Sequence, residues 1–219
     1  MSRFTERHLD PASRLGEILF GLIMVLTVTL TASFNVADGK KGVRQLLLAA
    51  IGANVASGII DAAMYIMNSM VVRRGKMRLL KAVQHAPNQE RALVLIKNRV
   101  EPELQELLGP AKSEAFSRSV LPHIVGTQIK ETILTKENFY GALATFWLVF
   151  VSCLPTATPF LIFNEPQVAL RVSNFLLLAG LFYVGQKWAD YAGKNRVAFG
   201  LAMVSIGLAL VGVAILLGG

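Results

Sequence analysis

The chain has 219 residues, 53% hydrophobic and only 16% charged, with a formal net charge of +8 and a mean hydropathy of +0.51. Charge this far below the ~25% of an ordinary soluble domain excludes a soluble globular protein and indicates a membrane protein. The Lys/Arg excess has no aromatic-interleaved patch or nucleic-acid motif around it, so it speaks for membrane topology and not for nucleic acid.

Residues 1–14 are polar, so no cleavable signal peptide is expected, and Asp10-Pro11 reads as a helix-initiating turn. A first span is predicted over Leu15 to Phe34, with Glu17, Gly21, Met24, Thr27 and Thr31 along one side. Glu17 is expected at headgroup level, where a charge costs little. Met24 falls near mid-membrane, either as a gap-filling thioether or as a soft ligand. A short loop from Asn35 to Arg44 carries the turn signals Asp38-Gly39 and Gly42.

The second span, from about Leu46 to Val72, places a carboxylic acid in hydrocarbon. Asp61 sits near its centre, where an ionised Asp costs roughly 2.5–3.5 kcal/mol on insertion scales. Asn54, Ser57/Gly58, Asp61, Met64/Tyr65 and Asn68 recur at helical spacing, and this stripe must face protein or water. A carboxyl paired only for packing is the plain alternative, but ionisable groups in spans more often mark function. The helix then continues without a breaker into Arg73, Arg74, Lys76, Arg78 and Lys81, which suits an anionic leaflet surface.

Residues 73–138 form a polar insert too long for a loop, punctuated by Pro87, Pro102, Pro110 and Pro122, each favouring a first-turn position. Within it Glu101, Glu103, Glu106 and Glu114 lie close in sequence, and Glu103 and Glu106 share a helix face. A solvated acidic face and a cation site are both open readings. Carboxylates without Cys or a His pair would favour hard or borderline divalent ions.

A third span covers about Phe139 to Phe163, where Pro155 and Pro159 should kink or break the helix. Cys153, the only cysteine, lies in this apolar segment, so no disulfide framework exists. The fourth span runs from about Val172 to Trp188, with Asn174, Gly180 and Gly185 inside it and Tyr183 and Trp188 suited to the interface. The fifth, about Val197 to Gly218, puts Gly200 and Gly207 on one face for close helix approach. The architecture expected is all-α: spans one and two over 15–72, the insert over 73–138 and spans three to five over 139–219. Lys and Arg concentrate in the N-terminus, the insert and the segment holding Lys187, Lys194 and Arg196, which predicts N-in, C-out with a cytoplasmic insert. Lys40-Lys41 on the outer side run against that trend. The membrane would be the plasma or inner membrane of a prokaryote, or an organelle membrane of a eukaryote.

Five spans with a helical insert between the second and third resemble the vacuolar iron transporter-like (VIT) family of divalent-cation transporters. EILFGLIMVLTVT looks like that family's first span and GANVASGIIDAAMYI like its small-residue-rich second; GALATFWLVFVSCLPTATPFLIF and the closing GLFYVGQKWADYAGKNRVAFGLAMVSIGLALVGVAILLGG look like its last three. The resemblance implies a homodimer whose pore is formed at the interface by both copies of spans one and two. It also implies metal-collecting glutamates in the insert, carried over onto Glu103 and Glu106, with Glu90 and Glu114 as weaker candidates. Met24-Val25 stand where the family's first span has Asp-Gly, so Asp61 would supply the carboxylate from the facing helix.

The function expected is transport of a divalent metal ion, Fe²⁺ or Mn²⁺ first, by exchange for protons. Two copies of Asp61 across a two-fold interface would supply the charge, Asn54 and Asn68 neutral oxygens above and below, and Met24 a thioether suited to Fe²⁺ over Mg²⁺, with Glu17 and Tyr65 also on the ion path. The transported ion is the only metal expected; no tightly bound cofactor is. A proton or organic-cation transporter of the same fold is one alternative, and a non-transporting scaffold that binds a partner through the basic insert is another. An enzyme is not expected, since no HExxH or GxSxG occurs and one intramembrane Asp cannot form an aspartyl dyad.

Overall fold

A computed structural model describes the backbone of residues 2–33, 39–127 and 134–217, without the side chains of 2–3, 32–33, 39–41, 43, 100–108, 110–111 and 113. Every element among the described residues is a helix: α1 (Ser2–His8), α2 (Pro11–Ser33), α3 (Gly39–Gln84), α4 (Gln89–Leu108), α5 (Pro110–Gly126), α6 (Lys136–Ser152), α7 (Leu154–Ile162), α8 (Pro166–Ala192) and α9 (Arg196–Leu216). Five segments are long and apolar enough to cross a membrane: α2, α3, α6 with α7, α8 and α9. They mark a multi-pass integral membrane protein.

Local chemistry explains the boundaries. Asp10 accepts from the Ser13 amide at 2.9 Å and from its hydroxyl at 2.5 Å, closing the start of α2. α8 ends at Gly193, whose φ of +63° is the left-handed turn that lets the Lys194 amide reach the Ala189 carbonyl at 3.1 Å. Asn195 then caps α9 through the Val197 and Ala198 amides, at 2.9 and 3.2 Å. α3 already begins at Gly39, so Gly42 lies inside a helix and not in a turn; residues 34–38 lie outside the described residues. At 46 residues, α3 is about 69 Å long, over twice the ~30 Å hydrocarbon core.

The chain divides into two units, Met1–Tyr65 with Lys136–Gly219, and Ile66–Thr135. In the first, Leu22, Val25 and Leu26 of α2 form a core with Ala50, Cys153, Leu177, Leu181 and Val211. Without a hydrophobic drive between helices in lipid, close approach through small residues supplies the packing. Glycine makes the room: Gly180 receives Leu22, Gly58 receives Phe146, and Gly141 receives the Tyr65 ring. The expected small-residue face of α9 is present, with Gly200 against α8 and Gly207 against Leu181. Large apolar side chains such as Ile59, Phe175, Leu201 and Leu210 point outward, as lipid contact requires.

The second unit has its own small core of Val83, Ala92, Ile96 and Leu121. Pro87 separates α3 from α4, and Gly109, at φ +76°, separates α4 from Pro110, the first residue of α5. Pro102 and Pro122 depart from the expectation, because both lie inside helices. Pro122 sits on an exposed face, where the carbonyl it frees can be solvated.

Candidate functional site

The site begins with a helix break. Pro155 has no amide hydrogen, and the chain steps from α6 to α7 at Cys153, whose amide turns to the Phe150 carbonyl at 3.3 Å. That tighter step leaves the Val149 carbonyl open to others. It accepts from the Ser152 hydroxyl at 2.7 Å and from Asn54 Nδ2 of α3 at 2.9 Å. Asn54 is 0% exposed, so this bond is sealed inside the protomer. A break in a span is tolerated where protein takes up the freed carbonyl, and here α3 does so. Its Nδ2 is thereby committed to helix packing, while its Oδ1 is buried and accepts no hydrogen bond.

Asn54 sets the rotation of α3, and the rest of the stripe follows. Ser57 and Gly58 are buried, Asp61 and Tyr65 are partly buried, and Asn68 is exposed. The Tyr65 ring lies on Gly141 of α6, and its hydroxyl donates to the His8 carbonyl at 3.4 Å. The stripe therefore packs on α6 of its own chain through Asn54, Gly58 and Tyr65. Met24, seven residues beyond Glu17 on α2, is partly buried.

One turn from Tyr65, the Asp61 carboxyl comes close enough to the Glu17 carboxyl for their charges to interact. Oδ2 of Asp61 is fully buried and accepts no hydrogen bond. Among the described residues, no Lys, Arg or His forms an ion pair with either acid. Two acids share an apolar seam with no fixed cation. Acids so placed can take up a proton or attract a cation, and carboxylate oxygens suit hard or borderline divalent cations.

Glu17 and Asp61 are separate expectations in the sequence, one at the headgroups and one at mid-membrane. Their juxtaposition was the missing relationship. Glu17 lies in the half of α2 farther along the chain from α3, and Asp61 lies near the middle of the longer α3, and these counts were the available signal.

Among the described residues, the insert presents no comparable cluster. Glu114 is held by Arg118 at 2.9 Å and Lys97 at 3.5 Å, and these cations keep its carboxyl below the usual range. Its oxygens are taken by these two side chains. Glu90 is exposed in the first turn of α4. The side chains of Glu103 and Glu106 lie outside the described residues. His85 and His123 each turn Nδ1 back to a carbonyl of their own helix, at 2.8 and 3.2 Å. Among the described residues, no group of three or more His, Cys, Asp or Glu is placed to hold a metal ion.

No family model, curated protein or solved structure matches this chain.

Proposed function

We propose that this chain is a transporter of divalent metal ions, Fe²⁺ or Mn²⁺ first, that exchanges metal for protons at the Glu17–Asp61 pair. The observation that carries this reading is the buried, donorless Oδ2 of Asp61 within a span, with the Glu17 carboxyl near enough for their charges to interact. A structural acid inside a membrane protein is paired with a donor or a cation, because burying it alone costs several kcal/mol. An exchangeable cation supplies the missing partner and leaves again. The proposed path runs along α2 and α3. We further propose an N-in, C-out topology with a cytoplasmic insert, from the distribution of Lys and Arg. A homodimer, as the resemblance implies, would pair through the outward apolar face of α3 that includes Ile59, Ile60 and Met64.

Purified protein in liposomes, assayed for Fe²⁺, Mn²⁺, Zn²⁺ and proton flux, tests the reading. Asp61→Asn and Glu17→Gln are each expected to lower metal flux by about tenfold or more, the loss of at least ~1.4 kcal/mol of ion stabilisation. Unchanged metal flux in Asp61→Asn would overturn it. The absence of Cys or His beside the acids also suits a pure proton carrier, and flux driven by a pH gradient that ignores every divalent ion would decide for that reading.

A further inference from the structure

We propose that the cleft between the start of α2 and the end of α8 binds the headgroup of an anionic phospholipid. The cleft encloses about 510 Å³, a volume typical of small-molecule sites, and is lined by Arg14 and Lys187 above an apolar wall that includes Ile18 and Trp147. Arg14 lies one turn into α2, and Lys187 lies near the end of α8, on one stripe with Tyr183 and Tyr191. Exposed Tyr and Trp beside basic residues mark the depth of lipid headgroups.

Neither cation is exhausted by its own ion pair. Arg14 meets Glu6 at 3.3 Å through one terminal nitrogen, while its Nε is buried with no acceptor. A guanidinium has five N–H donors, so the unused ones call for an acceptor such as phosphate oxygen. Lys187 reaches Asp190 only at 3.8 Å and stands 5.6 Å from the Tyr183 ring centre. Asp190 is in turn held by Arg196. Two cations against the single Glu6 carboxylate leave the cleft positive. A phosphodiester satisfies both cations, and the apolar wall takes the first methylenes of the acyl chains. A soluble anion would leave that wall wet. A zwitterionic headgroup would bring a second positive charge into a cleft that already has an excess.

The test is lipid retention by the purified full-length protein, measured by native mass spectrometry after exchange into equimolar phosphatidylglycerol and phosphatidylcholine. Phosphatidylglycerol is expected to be retained over phosphatidylcholine by about tenfold, the scale of one to two basic contacts at a membrane surface. Arg14→Gln/Lys187→Gln should bring the two lipids to equal retention, while Arg14→Lys/Lys187→Arg keeps the preference. Lys187 is 46% exposed, so Lys187→Gln alone folds and should lower the preference if the double variant does not fold. Equal retention by the native protein overturns the proposal. So does a preference that survives both Lys187→Gln and the double Gln variant, or phosphatidylglycerol displaced by millimolar inorganic phosphate. The outcome is independent of transport, because Asp61→Asn should retain lipid as the native chain does.

Discussion

Gly185 and Gly200 bring α8 and α9 into backbone contact: a Cβ on Gly185 would stand 2.8 Å from the Gly200 Cα and 2.6 Å from the Phe199 carbonyl oxygen. Backbone cannot swing aside as a side-chain tip can, so Gly185→Ala must push the helices apart. The expected cost is at the upper end of the ~1–3 kcal/mol seen for overpacking, read as a lowered melting temperature in detergent. Gly212→Ala on α9 meets nothing within 4 Å and should be neutral or stabilising by up to about 1 kcal/mol. Equal effects from the two substitutions would contradict this packing.

Asn54→Ala removes the donor that α3 lends to the Val149 carbonyl at the α6 break. Bonds of this kind in membrane proteins average about 0.6 and reach about 1.7 kcal/mol, and complete burial puts this one toward the top of that range. The Val149 carbonyl keeps only Ser152, so Asn54→Ala/Ser152→Ala should cost more than the sum of the single losses. Additive melting shifts across that cycle would show that the two donors do not share an acceptor.

Periodicity and composition made much of the architecture legible. Five apolar runs became five span-length helical segments, the prolines near Cys153 marked a break, and Gly200 and Gly207 marked a close crossing. Those features act through one helix and its immediate spacing. Pairing across helices was not legible, because it depends on relative depth and rotation. Glu17 and Asp61 came from different stretches, and nothing local ties one to the other. The Nδ2 of Asn54 donates to a carbonyl freed 95 residues later, a contact that nothing local in its own stripe announces. Pro122 failed as a helix-start signal because an exposed face tolerates an internal proline.

If the carboxylate pair lacks a cation, a fixed one should stabilise the fold and stop transport. Glu17→Lys places an ammonium against Asp61, and the expected gain is about 0.5–2 kcal/mol in thermal stability. Metal flux should vanish, since the site is permanently filled. Adding Asp61→Asn should erase the gain. A destabilised Glu17→Lys protein would mean that the two side chains do not meet.

Asp10 offers a pH-resolved check on how α2 begins. Its carboxyl accepts from the Ser13 hydroxyl and amide, and these bonds hold it below its ordinary value of 3.8. A carboxyl lowered by folding stabilises the fold fully above its unfolded value, and that contribution fades as pH falls through the folded value. Asp10→Ala should therefore cost about 1 kcal/mol at pH 7, the usual worth of an N-cap. The gap between native and variant melting temperatures should shrink well below pH 3.8. Arg14, one turn along, lines the proposed lipid cleft and depends on where α2 starts, so Asp10→Ala should also weaken phosphatidylglycerol retention at pH 7. A melting gap that is the same at both pH values would show that the carboxylate does not hold this end.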